Sequence, residues 1–119
     1  MEKKQKIIVI SGDTDSVKRL NNIFKNYKCE VINIGNNIRE AKENILLTDF
    51  DFYFIDTLID IKDLSYLIDL IKDLKSKYKI IIMSHNLTQE AERRIRSYGI
   101  TYLLKKPFST KEVKELLEY

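Results

Sequence analysis

Residue types suited to phosphoryl chemistry stand in this sequence directly behind short apolar runs. Asp13 follows Ile7-Ile8-Val9-Ile10 by way of Ser11 and Gly12, and Asp56 follows residues 52–55. Ser84 and His85 follow residues 80–83, and Lys105-Lys106-Pro107 follows residues 102–104. Carboxylate oxygens can hold Mg²⁺, which keeps several waters and takes one or two carboxylates together with phosphate oxygens. A carboxylate can also attack a phosphoryl group and become an acyl phosphate. A hydroxyl and an ammonium can then bind the added oxygens through charge-assisted hydrogen bonds. Two carboxylates, one hydroxyl and one ammonium would suit phosphoryl transfer to Asp56, provided the fold gathers four separate segments.

The rhythm of the chain supplies such a fold. Ile7-Ile8-Val9-Ile10 is continuous and β-branched, as a strand buried on both faces would be. Similar runs occupy residues 30–34, 52–55, 80–83 and 102–104. Between them, apolar residues spaced by three and four predict helices. The first carries Val17, Leu20, Ile23, Phe24 and Tyr27, with Asp15 or Ser16 able to cap it and Asp13 a further cap candidate. The second carries Ile38, Ala41, Ile45 and Leu46, and the third Leu64, Leu67, Ile68, Ile71 and Leu74. A mostly polar fourth, over 88–98, has Ala91, Ile95 and Tyr98 on one side and Gly99 as its stop. Ser109 and Glu112 form a capping box for the fifth, which carries Val113, Leu116 and Leu117.

The order is β-α repeated five times. Parallel strands need crossovers, and right-handed crossovers put helices on both faces of a sheet. The expected fold is one α/β domain over residues 1–119, a (βα)5 three-layer sandwich around a parallel five-stranded sheet. Strand order does not follow from periodicity, and analogy with flavodoxin-like folds gives 2-1-3-4-5. In such sheets ligands gather beyond the carboxyl ends of the strands, at the switch in strand order. The residues behind the apolar runs fall there.

Composition narrows the alternatives. With 44% hydrophobic and 33% charged residues, only three Gly and one Pro, the chain is neither disordered nor a loop-rich all-β design. The net charge of +3 is mild and mixed, so no direct nucleic-acid binding is expected. Lys3-Lys4-Gln5-Lys6 reads as a solvated lead-in to the first strand. Cys29 is the only cysteine and His85 the only histidine, which excludes an internal disulfide and multi-histidine metal sites. Cys29 is expected to be a buried or half-buried thiol. No apolar run is long enough to span a membrane, and Met1, Glu2, Lys3 and Lys4 lead straight into a strand. No signal peptide or membrane association is read, and a cytoplasmic location is expected.

With these residues in place, the sequence resembles the response-regulator receiver domains of two-component signalling. The resemblance rests on the spacing of Asp13, Asp56, Ser84 and Lys106-Pro107-Phe108 and covers essentially the whole chain. It implies that Asp56 accepts a phosphoryl group from a histidine kinase or histidine phosphotransfer protein. Asp13, Asp56 and the backbone carbonyl of Leu58 would ligate Mg²⁺, while Ser84 and Lys106 would contact the phosphoryl group. Lys106 is preferred to Lys105 because it directly precedes Pro107 and lies seven residues after Gly99. Pro107 is matched to the family's cis-proline turn. The face formed by helix four, strand five and helix five would relay the change to a downstream protein or an attached output domain, or pair in a homodimer. No turnover of a separate substrate is implied.

The sequence departs from the family pattern at several places. Gly12 stands where a second acid is usual, so Mg²⁺ is expected to bind weakly. Leu58 replaces the polar residue common two past the acceptor and is expected to restrict water attack on a phosphoaspartate. Residues 56–60 lack the family's Pro, and Leu64 replaces a frequent Gly. His85, followed by Asn86, occupies a position where a small residue is usual. It would clash with the phosphoryl group, donate to it, or face solvent. Leu103 holds the switch-aromatic position, with Tyr102 beside it and Tyr98 able to contribute to the same face.

Three readings follow. The first is the phosphorylatable switch. The second is a pseudo-receiver, a phosphorylation-independent interaction or dimerisation module, towards which Gly12, Leu58 and His85 lean. The third is an unrelated flavodoxin-like enzyme or cofactor binder. Ser11-Gly12-Asp13-Thr14 is a poor phosphate cradle for that role, because Asp13 repels phosphate in the absence of a metal.

Overall fold

The β-branched runs form strands and the spaced apolar segments form helices, in strict alternation. The computed structural model describes residues 4–118, so Met1, Glu2 and Lys3 of the expected lead-in lie outside the described residues. The elements are β1 (Gln5–Ile10), α1 (Thr14–Phe24), β2 (Cys29–Ile34), α2 (Ile38–Leu47), β3 (Phe52–Asp56) and α3 (Ile61–Leu74). They continue with β4 (Lys79–Ser84), α4 (Gln89–Arg96), β5 (Tyr102–Lys105) and α5 (Thr110–Glu118). All strands are parallel, in the order β2-β1-β3-β4-β5. The fold is flavodoxin-like, as expected.

Every residue of β3 is buried, because it lies at the centre between β1 and β4 with helices on both sides. In register, Ile55 faces Ile10 on one side and Ile82 on the other. Strand side chains alternate between faces, and the core divides accordingly. Ile8, Ile10, Tyr53, Ile55, Ile80 and Ile82 pack under α2, α3 and α4. Ile7, Val9, Phe52, Phe54, Ile81 and Met83 pack under α1 and α5. The buried Tyr53 hydroxyl has a partner, accepting the Phe50 N–H at 3.2 Å.

Local details differ from the sequence expectations. Of the three cap candidates Asp13, and neither Asp15 nor Ser16, caps α1, its carboxylate accepting from the Ser16 hydroxyl at 2.7 Å and the Ser16 N–H at 3.5 Å. Leu46 and Leu74 are exposed rather than core. One residue turns a helix by about 100°, so Leu46 points away from the direction that Ile45 buries, and Leu74 is the last residue of α3. Gly99 stops α4 with φ +80. Ser109 accepts the Glu112 N–H at 3.0 Å, but the Glu112 carboxylate accepts from the Tyr102 hydroxyl at 2.7 Å instead of reaching back. Cys29 is half-buried, and burial raises its thiol pKa. Among the described residues no helix is long and apolar enough to cross a membrane.

Candidate functional site

From β1 the chain passes to β2 on one side, while β3 lies on the other, so the switch in strand order falls between β1 and β3. The strand ends at this crevice carry the site. Asp56 closes β3 and is fully buried. Lys106, just past β5, places Nζ 2.6 Å from Asp56 Oδ2 and 2.9 Å from Asp13 Oδ2. Its backbone N–H donates to the Ser84 carbonyl at 2.7 Å, and the Lys106-Pro107 peptide is cis. Ser84 itself is buried at the end of β4. The Leu58 N–H donates to Asp56 Oδ1 at 3.0 Å. Asp13, Asp56, Ser84 and Lys106, predicted from four separate segments, thus share one end of the sheet.

The charges support one another. The Lys106 ammonium and then the Ser16 hydroxyl hold the Asp13 carboxyl at about 2, below its ordinary 3.8. Burial acts to lower the Lys106 pKa, but hydrogen bonding and attraction to Asp56 and Asp13 outweigh it and hold the ammonium above its ordinary value. A groove of about 630 Å³ opens beside the site, lined by Asp13, Arg19, Leu58, His85, Lys106 and Pro107, among others. A larger hollow of about 780 Å³ lies among Lys4, Asp51 and Tyr78, at the amino ends of the strands, and contains none of the site residues. Size is therefore a poor guide here. Convergence of charge locates the site.

Of the three options for His85, the structure shows it exposed, with Nε2 3.2 Å from Nδ2 of Asn86, whose φ is +51. Leu58 is 67% exposed at the rim. Leu103 is buried in the α2–α4 core, Tyr98 packs against that core, and Tyr102 is partly exposed. Asp15 is exposed beside the groove. Sequence reasoning missed Ser11, whose hydroxyl donates to Asp56 Oδ2 at 2.7 Å. The signal was available in strand alternation, which puts residue 11 on the same side as Asp13.

Among the described residues no three acidic, histidine or cysteine side chains are grouped to hold a metal. The converging pair Asp13 and Asp56 is nonetheless the kind of donor set that Mg²⁺ accepts when water and phosphate oxygens complete the shell. The residues fit that ion with one carboxylate fewer than a three-acid site.

The geometry defines a doubly wound α/β domain with a carboxylate–ammonium site at its switch point. The chain belongs to the response regulator receiver domain family, whose model matches residues 7–118. It is therefore a signalling domain of the two-component type. Its fold is similar to a response regulator from Thermotoga maritima, with TM-score 0.84, 17% identity, and coverage of 98% of this chain and 96% of that one. A two-component response regulator from Clostridium difficile gives TM-score 0.83 at 19% identity, covering 97% and 93%. The receiver domain of Francisella response regulator 1452 gives 0.79 at 20%, covering 97% and 94%. No curated protein sequence matches significantly. Family membership sets aside the unrelated flavodoxin-like enzyme.

Proposed function

We propose that this domain is a phosphorylatable switch in a two-component phosphorelay, with Asp56 as acceptor. The observation that supports it best is the fully buried Asp56 carboxylate held 2.6 Å from the Lys106 ammonium. A carboxylate so held attacks the phosphorus of a phosphohistidine on a histidine kinase or histidine phosphotransfer protein. A P–O bond forms at Asp56, the P–N bond breaks, and the donor histidine leaves with the electron pair. Lys106 and Ser84 then take the transferred oxygens through charge-assisted hydrogen bonds. Mg²⁺, held by Asp13, Asp56 and the Leu58 carbonyl, would neutralise phosphoryl charge.

Lys106 exchanges carboxylate partners for phosphoryl oxygens in this scheme, which biases the β4–α4 and β5–α5 connections between two arrangements. The α4–β5–α5 face passes the change to a downstream protein, an attached output domain or a second copy. That face is polar, tied by Lys105–Glu92 at 3.1 Å and Tyr102–Glu112 at 2.7 Å. The domain turns over no separate substrate, and its setting is cytoplasmic.

Intact-mass measurement after incubation with Mg²⁺ and acetyl phosphate tests the reading. A labile single-phosphate adduct is expected, absent in Asp56→Asn and without metal. One observation favours the alternative pseudo-receiver: the Lys106 ammonium already pairs with both carboxylates from within. A folded protein that forms no adduct at high Mg²⁺ and does not bind beryllofluoride would establish that reading instead.

A further inference from the structure

The amino ends of the strands form the pole opposite Asp56. Lys4 and Lys6 stand at the start of β1, and Lys75, Lys77 and Lys79 run from the end of α3 into β4. With Asp49 and Asp51 they line two adjoining hollows, which share Asp51, Ser76 and Lys77. Five lysines against two aspartates leave a net +3, as much as the whole chain carries with its 21 basic and 18 acidic side chains. The other side chains balance, so the excess of positive charge gathers at this pole.

Exposed apolar side chains stand beside the lysines. In a parallel β-α repeat each helix ends where the next strand starts, so α2 brings Leu46 and Leu47 to this pole and α3 brings Leu74. They are 49%, 85% and 51% exposed, and Leu47 is the most exposed large apolar side chain among the described residues. Lys75 Nζ donates to the Thr48 carbonyl at 3.3 Å and to Asp49 Oδ1 at 2.8 Å. That contact ties the residue after Leu74 to the two residues after Leu47, so the leucines flank one ion pair.

We infer that this pole is a peripheral docking surface for an anionic lipid leaflet, its lysines taking the headgroups while Leu47 and Leu74 enter the acyl boundary. Charge and apolar exposure together select this occupant. Nucleic acid would use the lysines and leave the leucines in water. A leaflet presents an anionic layer over an apolar one and matches both. Lysines or leucines alone bind marginally, whereas two signals combined hold a protein to a surface. The surface lies on a bilayer and needs no spanning segment. Asp56 is at the far end of β3, so docking leaves the candidate site open, and the inference is independent of the acceptor role.

The experiment is flotation of the full chain with vesicles of phosphatidylcholine, alone or with about 30% phosphatidylglycerol, at about 0.1 M and about 1 M salt. Binding is expected to the anionic vesicles only, and to fall at least about tenfold at the higher salt. Leu47→Ser combined with Leu74→Ser should weaken it at least about tenfold, as should Lys4→Gln combined with Lys77→Gln. All four side chains are exposed, and circular dichroism checks that the variants fold. If one does not, the lipid and salt dependence of the unsubstituted protein still decides. No binding to anionic vesicles, or equal binding to neutral ones, would overturn the inference. So would vesicle binding untouched by the two serines; tighter binding to a DNA duplex in that case would assign the lysines to nucleic acid instead.

Discussion

Lys106 Nζ lies 2.6 Å from Asp56 Oδ2 and 2.9 Å from Asp13 Oδ2, so one ammonium joins the ends of β1 and β3 from a loop beyond β5. Because β4 separates β5 from β3, that reach spans two strand spacings, about 10 Å. The long lysine stem, the Asp56 side chain and the 2.6 Å bond between them together cover it, and the Ser84 carbonyl on β4 fixes the Lys106 N–H on the way. The Lys106 side chain is 8% exposed, and burying an ammonium is unfavourable unless it is well paired. Both carboxylates pair with it there.

Removing that ammonium leaves a buried carboxylate without its cation. Lys106→Met is expected to destabilise the domain by about 3 kcal/mol at neutral pH, measured by urea unfolding. The double variant with Asp56→Asn should recover most of the loss, because the two residues act as one unit. Additive losses would show that the pair is not coupled.

The Asp13 carboxyl titrates at about 2 in the fold against an ordinary 3.8. A lowered folded value means that its stabilisation is present above the unfolded value and is lost as pH falls through about 2. Asparagine keeps the α1 cap while removing the charge. Asp13→Asn should therefore cost about 1 kcal/mol near neutrality, discounted for solvent screening, with most of that cost gone by about pH 2. Thermal unfolding of both proteins from pH 7 to pH 2 measures the convergence.

Gly99 has φ +80, and a Cβ there would approach Lys72 Nζ to 2.7 Å. That ammonium donates to the Tyr98 carbonyl at 2.8 Å and can swing aside. The backbone conformation is the larger penalty. Gly99→Ala should lose about 1–2 kcal/mol by urea unfolding, with Lys72→Ala relieving little of it.

At the rim of the site, Leu58 is 67% exposed and lines the groove with Asp13 and Lys106. An apolar side chain there offers no hydrogen bond to an approaching water. If Asp56 is the acceptor, Leu58→Asn should shorten the lifetime of the phosphorylated protein severalfold, followed by intact mass after donor removal. An unchanged lifetime would mean that water reaches the acyl phosphate by another path.

Much of this was legible from local pattern. β-branched runs and three- and four-residue spacings are set by backbone geometry over a few residues, so all five strands and helices could be located, and Asp56, Ser84 and Lys106 with them. The strand order came from analogy, because periodicity carries no information about which strands are neighbours. Capping by Asp13 through Ser16 and the exposure of Leu46 and Leu74 are set within each helix, whereas the diversion of Glu112 to Tyr102 is decided where α5 meets β5. Ser11 and Gly12 show the limit most clearly. The sequence placed both at the end of a strand, and alternation put Ser11 on the side of Asp13, but the bond from Ser11 to Asp56 and the approach of Gly12 to Asn36 exist only in the assembled sheet. Residue type and spacing determined the available chemistry. Tertiary structure determined its assembly, because a hydrogen bond between residues 45 positions apart exists only once the sheet has brought their strands together.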